Sequence, residues 1–119
     1  MPYVDGFVLP VPKRNLAAYR RVAAKAGRMW REHGALQFVE CAGDDLAVKK
    51  GMGVSFKRMA KPRAGETVMF SFIVYRSRAH RDAVNKRVMK DPRMSKMAPA
   101  MPFDVRRMAY GGFKVIVDA

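Results

Sequence analysis

The segment Glu66–Tyr75 constrains the fold more than any other part of the chain, because it is apolar on both of its faces. Its β-branched and aromatic residues predict a strand, in which alternate side chains point to opposite faces of a sheet. Val68 and Phe70 then lie on one face, and Met69 and Ile73 lie on the other. A sheet that contains this strand therefore needs cover on both sides.

The order of the elements along the chain identifies the fold class. Apolar residues at helical spacing predict two helices, over 13–33 and 78–90, and Ser77 is placed to cap the second. Strands are predicted over 3–11, 35–42, 66–75 and 105–117. The order β-α-β-β-α-β is that of a ferredoxin-like plait, an α+β fold in which two helices cover one face of a four-stranded antiparallel sheet. The 119 residues leave room for a single domain of this kind, spanning 1–119.

Three local features refine this order. Residues 54–60 are predicted as a short additional strand after a basic loop. Gly111-Gly112 interrupts the last strand and indicates a β-bulge or a close approach of another part of the chain. Cys41 lies within the second strand and is predicted to be a small buried hydrophobe. Because it is the only cysteine, neither an internal disulfide nor a cysteine-based zinc site can form within one chain.

The two predicted helices leave one apolar face of the sheet without cover. Soluble monomers rarely expose contiguous apolar patches larger than a few hundred Å². A second copy of the chain, packed sheet against sheet, supplies the missing cover most economically. We therefore predict a homodimer.

The net charge of +14 is the strongest compositional signal. Such a charge suits nucleic acid or an acidic membrane surface. It is spread over two helical faces and over residues 49–63, which are rich in Lys and Arg and contain no acidic side chain. This distribution favours a solvated basic surface over an RNA or DNA site. No apolar run approaches the ~18–20 residues of a membrane span, so no membrane partner is predicted and the expected location is the cytoplasm.

Three carboxylates are weak candidates for acid–base chemistry. Asp5 and Glu40 lie on otherwise apolar faces of the first two strands, and Asp104 follows a proline-fixed turn near the last strand. A carboxylate on an apolar face either pairs with a cation or has a raised pKa. Groups with raised pKa values are candidate general acids or bases. The alternative is structural, an ion pair with Arg93, Arg106 or Arg107.

A Met-rich connection before the last strand predicts a lid over a pocket. Prolines stiffen residues 94–103, and methionines provide an adaptable apolar lining. Trp30 lies on the inward stripe of the first helix, and Phe103 is placed to act as a plug. Arg93 and Arg107 are candidates to hold an anionic group of a ligand. Two alternatives stay open: Trp30 as an ordinary core residue, and the methionines as a plug for the open end of the sheet.

Metal and cofactor chemistry finds little support in the sequence. The two histidines, His33 and His80, are too few for a transition-metal site or a Ser/His/Asp triad in any recognisable pattern. Gly111-Gly112 lacks the Lys-Ser/Thr sequence and the strand–turn–helix context of a phosphate-binding loop. We predict neither a metal nor a cofactor.

Several short blocks distributed over nearly the whole chain resemble the YbaA-like family of bacterial proteins, a family of unknown function. The blocks are Tyr3-Val4-Asp5-Gly6-Phe7, Gly34-Ala35-Leu36 with Val39-Glu40-Cys41, Asp91-Pro92-Arg93-Met94, Met101-Pro102-Phe103-Asp104, and Arg107-Met108 with Tyr110-Gly111-Gly112-Phe113. The resemblance implies a dimeric α+β barrel, in which two ferredoxin-like protomers pack sheet against sheet and each keeps a pocket between its helices and its sheet. The broader fold group includes cofactor-free monooxygenases, isomerases, haem enzymes and regulatory ligand-binding domains, and fold alone does not choose among them.

Three functions follow from these observations. The leading interpretation is a homodimer that binds a small organic molecule in one largely apolar pocket per subunit. The second is a cofactor-independent monooxygenase or isomerase that uses Asp5, Glu40 or Asp104 in the same pocket. The third is a basic protein associated with RNA or DNA through residues 49–63.

Overall fold

Four strands and four helices make up the fold of the computed structural model, which describes residues 1–97 and 101–119. The strands are β1 (Tyr3–Pro12), β2 (Gln37–Ala42), β3 (Glu66–Tyr75) and β4 (Ala109–Lys114). The helices are α1 (Leu16–Glu32), α2 (Phe56–Ala60), α3 (Arg78–Lys90) and α4 (Pro92–Met97), with 3-10 turns at Lys13–Asn15 and Val105–Arg107. Residues 98–100 of the predicted Met-rich connection lie outside the described residues.

The strands form one antiparallel sheet in the order β2-β3-β1-β4. β3 pairs with β1 along its full length, from Tyr3 opposite Tyr75 to Pro12 opposite Glu66. The two central strands are therefore the first and third in the chain, as a ferredoxin-like plait requires. The predicted α+β class is confirmed, and the helix predicted over 78–90 has those bounds, with the Ser77 hydroxyl accepting a hydrogen bond from the His80 amide at 3.1 Å.

The segment predicted as a strand over 54–60 is instead the short helix α2. Its residues are mostly good helix formers, and the Ser55 hydroxyl caps it by accepting the Arg58 amide. The helix ends at Lys61, which adopts a left-handed conformation with φ of 49°. The strand prediction was wrong because a cap outweighs weak β-propensity in so short a segment.

β4 is shorter than predicted and contains no bulge. A 3-10 turn occupies the start of the predicted 105–117 strand, and Gly111 and Gly112 lie in regular register opposite Gly6 and Asp5. The alternative reason for the glycines holds at Gly112, where a Cβ atom would lie 2.7 Å from Cε2 of Tyr3. The glycine is needed because the Tyr3 side chain packs directly on the backbone of β4.

The two faces of the sheet differ in their cover. The helix face, which carries Tyr3, Leu9 and Tyr75, is covered by α1 and α3, and these side chains are buried with Met29 and Val84. Burial of such large side chains stabilises the fold by about 1.5–3 kcal/mol each.

The opposite face, here called the open face, has no helix across its centre. Alternation along the strands and the ladder register place many apolar side chains on it, among them Val4, Val8, Phe70, Phe72 and Phe113. α2 covers only one margin, where the ring of Phe56 meets that of Phe70 at a centroid distance of 6.1 Å. Phe70 remains 43% exposed and Phe113 62% exposed.

Cys41 also lies on the open face, in the edge strand β2 opposite Phe70. It is exposed, which corrects the prediction of a buried residue. The sequence shows that Cys41 is in a strand, but whether an edge strand is covered depends on elements distant in the chain.

Candidate functional site

A largely apolar cavity of about 180 Å³ lies between α1, the helix face of the sheet and the Met-rich segment. α1 contributes the side chains of Tyr19, Ala23, Ala26 and Trp30. The sheet contributes Phe7, Phe38, Glu40, Ser71 and Ile73, and the far wall is formed by Met94, Met97, Met101, Phe103 and Met108.

The spacing of residues along α1 explains why there is a void at this place. Tyr19, Ala23, Ala26 and Trp30 follow one another at three- and four-residue intervals, so all four face the sheet. The two alanines present only a methyl group between the two large aromatic side chains. The helix is therefore held away from the sheet at both ends of the stripe, and the space opposite the alanines is left open.

Trp30 is fixed in the wall of the cavity. Its indole Nε1 donates to Oδ1 of Asn85 at 3.2 Å, and the hydroxyl of Tyr75 donates to the same oxygen at 3.3 Å. Its ring is tilted against that of Phe38, with centroids 6.0 Å apart. Trp30 thus contacts the core and lines the cavity at the same time.

Glu40 and Tyr19 form the polar end of this apolar cavity. The Tyr19 hydroxyl donates to Oε2 of Glu40 at 2.8 Å. Burial raises the pKa of the Glu40 carboxyl above its ordinary value, although hydrogen bonds from Tyr19 and Ser71 act in the opposite direction. Burial and the neighbouring Glu40 charge also raise the pKa of Tyr19. Glu40 takes part in none of the ion pairs found within 1–97 and 101–119. It is thus a carboxylate placed to accept a proton inside an apolar cavity.

The same two residues border a wider surface groove between α1 and β2, of about 920 Å³. Arg20, Arg28 and Arg31 lie along this groove. Glu40 and Tyr19 therefore line both the cavity and the groove.

Asp5 occupies a different place from Glu40. Its carboxylate accepts from Nη1 of Arg81 at 2.7 Å, and the Arg81 guanidinium lies over the ring of Tyr3. Burial raises the pKa of Asp5, and the charge of Arg81 opposes this shift. Asp5 does not line the cavity, and the pairing attaches α3 to β1.

Asp104 also lies outside the cavity, at the surface. Its carboxylate caps the 3-10 turn by accepting the Arg106 amide, and it pairs with the Arg106 side chain at 3.0 Å. Hydrogen bonds from Arg106 lower the pKa of Asp104. A carboxylate stabilised in its charged form in this way is a poor general base at neutral pH.

The two predicted anion-binding arginines are held by carboxylates, and neither lines the cavity. Arg93 donates to Asp91 and Glu32 at 2.7 Å each, on the outer surface. Arg107 makes two bonds of 2.8 Å to the carboxylate oxygens of Glu66. Both pairs lower the pKa of the acidic partner, to about 2 for Glu66.

The structure thus brings together Glu40, Trp30 and Phe103, and adds Tyr19 and Ser71, which are not among the site residues predicted from the sequence. Two signals for the additions exist in the sequence. Tyr19 is the aromatic residue on the same helical stripe as Trp30, and Ser71 is the polar residue inside the apolar run of β3.

Neither a metal-ligand cluster nor a membrane-spanning helix is found in the described part of the chain. No group of three or more His, Cys, Asp or Glu side chains within 1–97 and 101–119 is arranged to hold a metal ion. His33 pairs with Asp91 at 2.8 Å, and Nδ1 of His80 accepts the Arg76 amide. Across the same residues, no helix has both the length and the apolar character that crossing a bilayer requires.

Comparisons with known proteins identify the family. Residues 2–105 match a family described as a protein of unknown function, DUF1428. The chain is 48% identical over 118 residues to the uncharacterized protein YbaA of Escherichia coli strain K12 and to that of Shigella flexneri, and covers 99% of each. A mutant of SnoaB, a cofactor-independent oxygenase from Streptomyces nogalater, has a similar structure with a TM-score of 0.56 and 12% identity, over 98% of this chain and 95% of SnoaB. This likeness supports the fold. The chain belongs to the DUF1428 family, in agreement with the resemblance to YbaA-like proteins.

Proposed function

We propose that the protein binds a small, largely apolar organic molecule in the cavity between α1 and the sheet. The observation that carries this proposal is the lining of the cavity, which is apolar except at the Glu40–Tyr19 pair. Ligand sites in proteins typically combine an apolar wall with a few convergent polar groups. Here the wall fixes the size of the ligand and the polar pair fixes its orientation.

The volume of the cavity limits the size of the ligand. In another protein an engineered apolar cavity of about 150 Å³ binds benzene. A cavity of about 180 Å³ therefore suits one six-membered ring with a short substituent. The free lone pairs of the Glu40 carboxylate favour a substituent that donates a hydrogen bond, such as a hydroxyl group.

The proposed functional unit is a homodimer that forms through the open face. Its exposed apolar side chains, including those of Phe70 and Phe113, are of the kind that an interface between copies buries. The cavity opens on the other side of the sheet, so dimer formation leaves it accessible. Cys41 is a free thiol, which suits a reducing compartment, and we place the dimer in the cytoplasm.

Filling the cavity is expected to abolish ligand binding without unfolding the protein. 2-Phenylethanol, a single ring with a hydroxyl group, serves as the probe, with titration followed by calorimetry and by Trp30 fluorescence. In the Ala26→Leu variant the added atoms occupy the space opposite Ala26, and we expect the Kd to rise by about tenfold or more, the effect of about 1.4 kcal/mol.

The matched control is Ala17→Leu, which adds the same atoms at an exposed position of α1. It should bind the probe like the unmodified protein. Equal affinity in the Ala26→Leu variant, or no binding of the probe by the unmodified protein, would contradict the proposed site.

A second candidate function is a cofactor-independent enzyme in which Glu40 is the general base. The favouring observation is the carboxylate itself, buried at the cavity wall with a raised pKa and with a hydroxyl group as its partner. SnoaB, with the same fold, is a cofactor-independent oxygenase, which shows that this fold accommodates chemistry without a cofactor. The first step would be removal of a proton from a carbon or oxygen atom of the bound substrate.

A further inference from the structure

A second cleft, of about 580 Å³, lies on the opposite side of Phe103 from the apolar cavity. Four arginine side chains line it together with two carboxylates. They are Arg14, Arg63, Arg106 and Arg107, with Glu66 and Asp104. The cleft therefore has an excess of positive charge, in contrast to the cavity beside it.

The two carboxylates neutralise only two of the four arginines. Arg107 is bound to Glu66 and Arg106 to Asp104. The guanidinium groups of Arg14 and Arg63 form no ion pair with any residue in 1–97 or 101–119. These two side chains remain available to bind an anion, and guanidinium groups bind phosphate and carboxylate oxygens through paired hydrogen bonds.

The cavity and the cleft share a wall. Phe103 and Met101 line both spaces. The ring of Phe103 lies 5.6 Å from that of Tyr19, centroid to centroid, and Nδ2 of Asn15 donates to the carbonyl oxygen of Pro102 at 3.1 Å. The wall is thus held by contacts to α1 and to the turn before it, and the same two side chains face both spaces.

We propose that the ligand is amphiphilic, with an apolar ring in the cavity and a phosphate-type dianion in the arginine cleft, joined by a short linker past Phe103. This inference rests on the proposed function and adds the chemical class of the ligand. The ring and its linker suit the cavity of about 180 Å³, and the charge of the dianion matches the two arginines that form no ion pair. Arg107, predicted from the sequence as a ligand-binding residue, lines the cleft but is occupied by Glu66.

The groove between α1 and β2 is the competing place for an anion, because Arg20, Arg28 and Arg31 lie along it. Two carboxylates, Glu32 and Glu40, also line that groove. A dianion that reached the cavity from this side would have to pass the buried carboxylate of Glu40, whose charge repels it in a medium of low dielectric constant. In the cleft at Phe103 the two carboxylates, Glu66 and Asp104, are each paired with an arginine, so neither leaves an unpaired negative charge.

The test compares 2-phenylethanol with 2-phenylethyl phosphate, which share a ring and a linker and differ in the charged group. Calorimetry on the full chain should give a Kd at least about tenfold lower for the phosphate. The double variant Arg14→Gln/Arg63→Gln should lose this advantage and keep its affinity for the alcohol. The control Arg20→Gln/Arg28→Gln removes the same charge from the groove and should keep the advantage.

Each other outcome overturns a defined part of the proposal. If 2-phenylethanol binds and 2-phenylethyl phosphate binds no more tightly, the proposal of an amphiphilic ligand is contradicted, whereas the proposed apolar site is supported. If the control variant loses the advantage to the same extent, the effect is general electrostatic attraction and the cleft is not a site. If neither compound binds, the proposed function fails together with this inference.

Discussion

Replacing Phe70 with glutamate is expected to convert the protein from a dimer into a folded monomer. Phe70 lies on the open face, opposite Val8 in β1, and is 43% exposed in the isolated chain. Glutamate removes the contacts of the Phe70 ring with Phe56 and Phe72, but at this partly exposed position the single subunit is expected to stay folded. In a sheet-to-sheet dimer the same carboxylate would be buried without a partner, which costs several kcal/mol. We expect the dimer Kd to rise by about a hundredfold or more, measured by sedimentation at micromolar concentration.

Met89→Glu is the matched control for this experiment. Met89 is 59% exposed on α3, on the other side of the molecule, so the control introduces the same charge away from the open face. It should sediment like the unmodified protein, and circular dichroism should show that both variants are folded. An unmodified protein that is monomeric at micromolar concentration, or a Phe70→Glu variant with unchanged dimer affinity, would contradict assembly through the open face.

The strand patterning that predicts a dimer also made most of the fold predictable. β3 is apolar at nearly every position, and this identifies it as a strand with both faces in need of cover. α3 was predicted to the residue because a Ser cap and a Pro after its end mark both boundaries. α2 and the bounds of β4 were not, because residues 54–60 carry no strong periodicity and a 3-10 turn occupies the start of the predicted last strand.

The candidate site was predictable only in part, because local patterns are visible in the sequence and contacts between distant segments are not. Trp30 and Glu40 were found because helical and strand periodicity reveal the direction of a side chain. Arg93 and Arg107 were proposed for their closeness in sequence to the Met-rich segment, and each is held by carboxylates outside the cavity. Asp91 lies two residues before Arg93, and such a local pair is visible in the sequence. Glu66 lies far from Arg107 along the chain, and that pair is visible only in the fold.

The basic segment predicted over 49–63 has a definite position but no assigned partner. It includes α2, whose Phe56 ring packs on Phe70 at the margin of the open face. The basic side chains of α2, Lys57 and Arg58, therefore lie beside the proposed dimer interface, whereas Arg63 at the end of the segment lines the arginine cleft. An RNA or DNA partner for these residues stays a prediction, and binding that weakens steeply with added salt would be its signature.

Replacing Glu40 with glutamine is expected to make the protein more stable at neutral pH. If the second candidate function is correct, the same substitution also removes the general base and with it the catalytic activity. Glutamine retains the acceptor for the Tyr19 hydroxyl but removes the buried charge. Because the folded-state pKa of Glu40 is raised above 4.5, its contribution to stability is fully present below pH 4.5 and is lost as the pH rises through the folded-state pKa. The free energies of unfolding in urea should therefore be similar at low pH for the unmodified protein and for Glu40→Gln. As the pH rises to about 8 they should diverge, and the variant should become more stable by on the order of 1 kcal/mol.

The catalytic half of this prediction is measured as exchange of the acidic C–H protons of 2-indanone with deuterated solvent, followed by NMR. The unmodified protein should accelerate exchange, with a rate that rises with pH as Glu40 ionises. Glu40→Gln should slow this exchange by about a hundredfold or more, the usual contribution of a positioned general base.

Asp44→Asn is the matched control, because it removes an exposed carboxylate after β2, and it should change neither stability nor exchange. A stability difference that does not vary with pH would show that the Glu40 carboxyl is not perturbed by burial. Exchange that survives in Glu40→Gln would leave the cavity as a binding site and remove Glu40 as its base.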